Sequence, residues 1–141
     1  MLKPNFINIV FYFFIKYIAF YVFMMFKNND FTLIQLIELR GFNDWVFYLS
    51  TFLFLPIVCS IVFGIPLIYI FKKKDAIYFT ALVSILVMAE YLLYTYFASQ
   101  LDLTNGIYNG VLTLLFLVLF FYKGILWLFK SNNSSKTKEE K

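Results

Sequence analysis

The 141-residue chain has no histidine and a single cysteine, Cys59. Without histidine it lacks the commonest metal ligand and the usual general base. One cysteine excludes an internal disulfide, and any CxxC redox or zinc arrangement within one chain. Charge is also scarce: 14% of residues are charged, against about 25% in soluble domains. The acidic residues are scattered, and neither a glycine-rich phosphate loop nor a nucleophile–base pair can be traced. These absences argue against an enzyme and against a resident metal or cofactor.

What the chain has instead is apolar length. It is 62% hydrophobic, with 20 phenylalanines and 11 tyrosines. A water-soluble chain of this size could not cover so much apolar surface, whereas lipid tails are as apolar as the side chains themselves. A helix needs roughly 20 apolar residues to cross the hydrocarbon core, and four stretches meet that length: about 5–26, 45–71, 76–98 and 107–129. No period-2 alternation points to a barrel. The expected fold is an all-α polytopic membrane protein, a four-transmembrane-helix bundle over residues 1–130. Lys16 interrupts the first stretch and no small-x-small site follows Phe26, so the segment reads as a retained helix and not a cleaved signal peptide. Pro4 suits a first-turn position, where its missing N–H does no harm.

Lysine and arginine counts set the expected orientation. Lys3, Lys72, Lys73, Lys74, Lys130, Lys136, Lys138 and Lys141 fall on one side, Lys27 and Arg40 on the other. The richer side is cytoplasmic by the positive-inside rule, which places both termini in the cytoplasm and the protein in a cell (inner) membrane. The basic balance, with lysines flanking apolar segments, fits this topology better than nucleic-acid binding. Trp45 and Tyr48 at the outer end of the second helix, and Tyr122 and Trp127 near the inner end of the fourth, suit the headgroup level.

Between the first two spans, Leu33, Ile34, Leu36 and Ile37 alternate with Thr32, Gln35 and Glu38. With Asp30 as a cap and Gly41 as a stop, this spacing predicts a short interfacial helix on the outer leaflet. Asp44 is placed to cap the second span, with Trp45 as its anchor. Pro56 and Pro66 can each kink that helix. Residues 131–141 are polar and are expected to form a disordered cytoplasmic tail.

Ionisable residues inside apolar spans are costly and are the first candidates for a site. Lys123 is close enough to the cytoplasmic end to extend its ammonium to the headgroups and act as an anchor. Lys16 and Glu90 lie deeper, at about 17 Å and about 21 Å along helices that both run outward. Their depths match within the reach of the two side chains, so a buried Lys16–Glu90 ion pair is expected. Either the pair fixes helix register, or Glu90 is a proton-exchanging carboxylate. Tyr94, one turn from Glu90, is placed to solvate the carboxylate. Tyr91, Ser84 and Thr80 form an adjacent polar strip expected to face protein. Asn105, Asn109 and Thr113 recur every four residues beside Gly106 and Gly110, as the lining of a vestibule or as glue between helices.

These features support a non-catalytic accessory or interaction subunit of a membrane complex, partnered by the lipid bilayer and by copies of itself or other membrane proteins. The alternative is a small oligomeric proton-coupled transporter in which Glu90 is the coupling carboxylate.

Overall fold

A computed structural model of the chain describes residues 2–31, 41–73, 75–97 and 104–139, of which Thr51, Phe97 and 131–139 are described by backbone alone. The described chain is helical throughout, in the order α1 (Phe6–Asn28), α2 (Phe42–Val62), α3 (Gly64–Lys73), α4 (Ala76–Leu92), a π-helical turn (Leu93–Phe97) and α5 (Thr104–Glu139). Four helical spans are long and apolar enough to cross a membrane: Phe6–Asn28, Phe42–Lys73, Ala76–Tyr96 and Thr104–Lys130.

The ends of these helices follow from local chemistry. Asn5 precedes α1 and accepts the Asn8 N–H at 2.8 Å, so Pro4 lies just outside the helix and not in its first turn. Asn29 closes α1 at φ 51°, a left-handed conformation that asparagine tolerates better than most residues. Gly41 begins α2, and Asp44, one turn in, accepts the Gly41 N–H at 3.0 Å. Asp44 therefore holds the helix start from inside it. Asp75 caps α4 by accepting the N–H groups of Ile77 and Tyr78. The interfacial helix expected across Leu33–Glu38 falls on 32–40, outside the described residues.

The second span is broken where its sequence demands it. Pro66 has no N–H for the Val62 carbonyl, and its ring crowds that position. The α-helix stops at Val62, Phe63 bridges, and α3 begins at Gly64, with Pro66 in its first turn. Pro56 stays within α2, where Ser60 Oγ donates to the Pro56 carbonyl at 2.6 Å. In α5, Phe121 departs from helical geometry (φ −117°, ψ 17°), yet the helix continues to Glu139, past the boundary near 129 that hydropathy suggests.

Hydropathy also hides which face of each helix is covered, because the spans are apolar all round. On α1 the buried face is Ile9, Tyr12, Phe13, Lys16, Tyr17 and Phe20, a stripe at the i, i+3, i+4, i+7 spacing of one helical side. It meets Cys59 of α2, Leu67, Ile70 and Phe71 of α3, Phe79, Val83 and Leu86 of α4, and Leu117, Phe121 and Leu128 of α5 in one core. Many large apolar side chains point the other way and stay exposed, Phe42, Ile7, Phe47 and Ile77 among them. Trp45, Tyr122 and Trp127 are also on the surface.

Candidate functional site

Two charges are enclosed in this core. Lys16 of α1 and Glu90 of α4 are 0% and 1% exposed, and Lys16 Nζ lies 2.7 Å from Glu90 Oε1. Removing each charge from water costs several kcal/mol, which only close pairing and further hydrogen bonds offset. Those bonds are present. Tyr17 donates its hydroxyl to Glu90 Oε1 at 2.9 Å, and the Thr113 hydroxyl of α5 donates to Glu90 Oε2. The Lys16 ammonium also sits 3.8 Å from the centre of the Tyr17 ring, where the ring face attracts a cation.

Counting protons fixes the direction of two further contacts. Tyr17 has one hydroxyl hydrogen and gives it to Glu90, so in its 3.2 Å contact with Cys59 the thiol is the donor. A chain therefore runs from Cys59 on α2, through Tyr17 on α1, to Glu90 on α4. Thr113 also has one hydrogen and touches two acceptors, Glu90 Oε2 and the Asn109 carbonyl, the latter at 3.0 Å. With Glu90 ionised, Thr113 donates to it. With Glu90 protonated, the acid can donate to Thr113, and Thr113 to Asn109. The same side chain thus satisfies either protonation state. Tyr12 ties α1 directly to α5, donating to the Thr113 carbonyl at 3.1 Å.

The other residues singled out in the sequence divide. Asn105 and Thr104, at the start of α5, both accept from Lys27 Nζ at 3.0 Å, and Lys27 lies over the Tyr108 ring. Asn105, Asn109 and Thr113 are all buried, so this stripe faces the interior. Its two ends are bonded, to Lys27 and to Glu90, while both side-chain polar atoms of Asn109 between them have no partner.

Tyr94 does not solvate Glu90. Its ring packs on Phe20 at 4.6 Å between centroids, and its hydroxyl sits beside Tyr21 without a well-formed hydrogen bond. Tyr17 takes the role expected of it. Nor does the strip of Thr80, Ser84 and Tyr91 face the core: Thr80 and Ser84 are exposed and Tyr91 is only half-buried. Successive helical residues are turned by about 100°, so the strip lies beside the covered face made by Phe79, Val83, Leu86 and Glu90. Thr80 meets its own need by donating to the Ala76 carbonyl, a local bond that leaves a hydroxyl free of any demand for a partner helix. Tyr91 and Ser84 line an open groove of about 510 Å³ with Gly106 and Gly110, away from the ion pair. Lys123 is on the surface.

Tyr17, Tyr12 and Cys59 are the participants that sequence reasoning missed. The signal was available for the tyrosines: Tyr12 is one turn from Lys16, and Tyr17 adjoins it on the stripe that ends at Phe20. Comparison with known protein families, with curated proteins and with solved structures finds no match to this chain.

Proposed function

We propose that the chain is a multi-pass membrane protein, a four-helix bundle with both termini cytoplasmic, and that it serves as a non-catalytic interaction subunit of a membrane complex. The observation that carries this reading is the enclosure of the Lys16–Glu90 pair. Its hydrogen bonds come from α1 and α5, and the thiol contact extends it to α2. A satisfied pair of this kind specifies which helices meet and in what register. The four apolar spans and their exposed apolar faces suit contact with lipid and with other membrane helices. Orientation rests on the lysine distribution, with Lys72 and Lys73 ending α3 on the side assigned to the cytoplasm.

The test is co-purification of the tagged protein in mild detergent, wild type beside Glu90→Gln and Lys16→Met. Partner proteins that come down with the wild type and are released by both substitutions support the reading. A defined homo-oligomer that comes down alone and survives both substitutions contradicts it.

One observation favours a second reading, a small proton-coupled transporter. Thr113 is placed to bond Glu90 in either protonation state. On that reading Glu90 is the coupling carboxylate and Lys16 its counter-charge. Proteoliposome uptake driven by a pH gradient and abolished by Glu90→Gln would support it. Uptake indifferent to both the gradient and the substitution would exclude it.

A further inference from the structure

Among the described residues, the buried side-chain polar groups without partners lie on one side of the ion pair. From Glu90, α4 and its π-helical turn lead towards Phe97, while from Thr113, α5 leads back to Thr104, so both approach the same end of the molecule. Along this half come the buried Asn109, Thr95, Tyr94 and Asn105, then Thr104 and Lys27 at the exposed end. Along the other half the core is aromatic and aliphatic: Phe13, Leu67, Phe71, Phe79, Phe121 and Leu128 are all buried. Phe71 packs on Phe79 and Phe121 at 5.3 Å and 5.8 Å between centroids.

The layer next to the ion pair carries an unmet demand. Asn109 is 0% exposed with both Oδ1 and Nδ2 unpartnered, and the Thr95 and Tyr94 hydroxyls are buried without partners. A buried polar group that nothing meets is costly. The π-helical turn contributes to this arrangement. Its consecutive residues Tyr94 and Thr95 are both turned inward. Gly106 admits Thr95, whose hydroxyl rests against the α5 backbone three residues from Asn109. Unpartnered carboxamide and hydroxyl groups from two facing elements have the donors and acceptors that a buried water requires, about three per molecule.

We propose that this layer is a water site, in which Asn109, Thr95 and Tyr94 hold one or more water molecules that link Glu90 to the Lys27–Asn105 end of the protein. The aromatic half closes the opposite route. Water at this site gives Glu90 proton exchange with one face of the membrane and not the other. Glu90 is bonded by Lys16 and Tyr17 of α1 and by Thr113 of α5; Tyr12 of α1 and Cys59 of α2 bond Thr113 and Tyr17 in turn, and the Tyr94 ring of the π-helical turn lies beside that of Tyr17. The inference rests on the membrane-spanning reading and is independent of whether the protein is a subunit or a transporter.

The test is radiolytic hydroxyl labelling of the full-length protein in phosphatidylcholine vesicles, in which a water molecule trapped beside a side chain marks that side chain. Tyr94 and Phe79 are equally buried, each at 5%, and lie on opposite sides of the pair, so they make a matched comparison. Tyr94 is expected to be labelled several-fold faster than Phe79, and Asn109→Leu is expected to bring it down to the Phe79 rate. Thr95→Val is expected to lower it in the same direction, and serves if Asn109→Leu does not fold. Equal labelling of Tyr94 and Phe79 in the wild type, or a Tyr94 rate unmoved by the substitutions, overturns the water site. Vesicle flotation with alkaline extraction, run on the same sample, separates that result from failure of the membrane reading: protein stripped from the vesicles overturns the membrane reading itself.

Discussion

The Thr95 hydroxyl lies where a side chain on Gly106 would begin, and the Tyr91 carbonyl is only 2.7 Å from the same point. The π-helical turn and α5 are thus in contact through a glycine that has no room to grow. Gly106→Ala is expected to destabilise the protein by about 1–3 kcal/mol, as overpacking does. At Gly110 the nearest neighbour of an added methyl is the Val87 side chain at 3.2 Å, which can yield. Gly110→Ala is expected to stay within about 0.5 kcal/mol of wild type. Thermal unfolding of the two variants in one detergent checks the contrast, and equal effects would argue against the close approach.

Tyr17 joins three elements through one oxygen. Tyr17→Phe removes the donor to Glu90 Oε1 and the acceptor of the Cys59 thiol together. The expected loss is about 1–3 kcal/mol, because a buried acceptor bearing charge is left with one donor fewer. Cys59→Ala removes only the weak thiol bond and is expected to cost less than Tyr17→Phe. Denaturation midpoints in the order wild type, Cys59→Ala, Tyr17→Phe support the direction of the chain. The reverse order of the two variants contradicts it.

Thr113 is tested by shape against chemistry. Valine has nearly the volume of threonine but no hydroxyl, whereas serine keeps the hydroxyl and loses the methyl. Since Glu90 Oε2 takes its bond from this hydroxyl, Thr113→Val is expected to be the more damaging change, by about 1–3 kcal/mol. If serine proves worse than valine, Thr113 acts by packing and not by bonding Glu90.

The orientation is open to direct reading. Cysteines placed at Asn29 and at Lys73, in a Cys59→Ala background, report the two ends of the helices by their reactivity with a membrane-impermeant thiol reagent in intact cells. Asn29 is expected to label from outside and Lys73 only after lysis, as the lysine distribution requires. The opposite pattern inverts the topology.

Much of this architecture can be read from the residues, and the failures have physical causes. Long apolar runs mark the spans because a bilayer-length helix has few alternatives. Pro66 marks the break in the second span, since its ring and missing N–H act on the residue four positions back. Lys16 and Glu90 stand out because charge is rare among apolar neighbours. Helix faces are harder. In a helix apolar on every side, no polar stripe separates a face covered by its neighbours from one left exposed. This is why Thr80, Ser84 and Tyr91, whose spacing suggests a continuation of the Glu90 face, are turned away from it. The π-helical turn is equally hidden, because Leu93–Phe97 has no proline or glycine to announce it. Cys59 reads as one more apolar residue until α1 brings Tyr17 against it.

Lys16 and Glu90 are expected to stabilise the protein only as a pair, and a double-mutant cycle in detergent unfolding measures this. Lys16→Met or Glu90→Gln alone strands a buried charge and is expected to cost about 3–5 kcal/mol. Glutamine keeps an acceptor oxygen for Tyr17, and its amide N–H can donate to the Thr113 hydroxyl, which then donates to the Asn109 carbonyl, so the double variant strands no charge and both contacts stay bonded. It is expected to lose no more than either single variant, which makes the coupling as large as the single effects. Losses that simply add, or single variants as stable as wild type, would contradict the pairing.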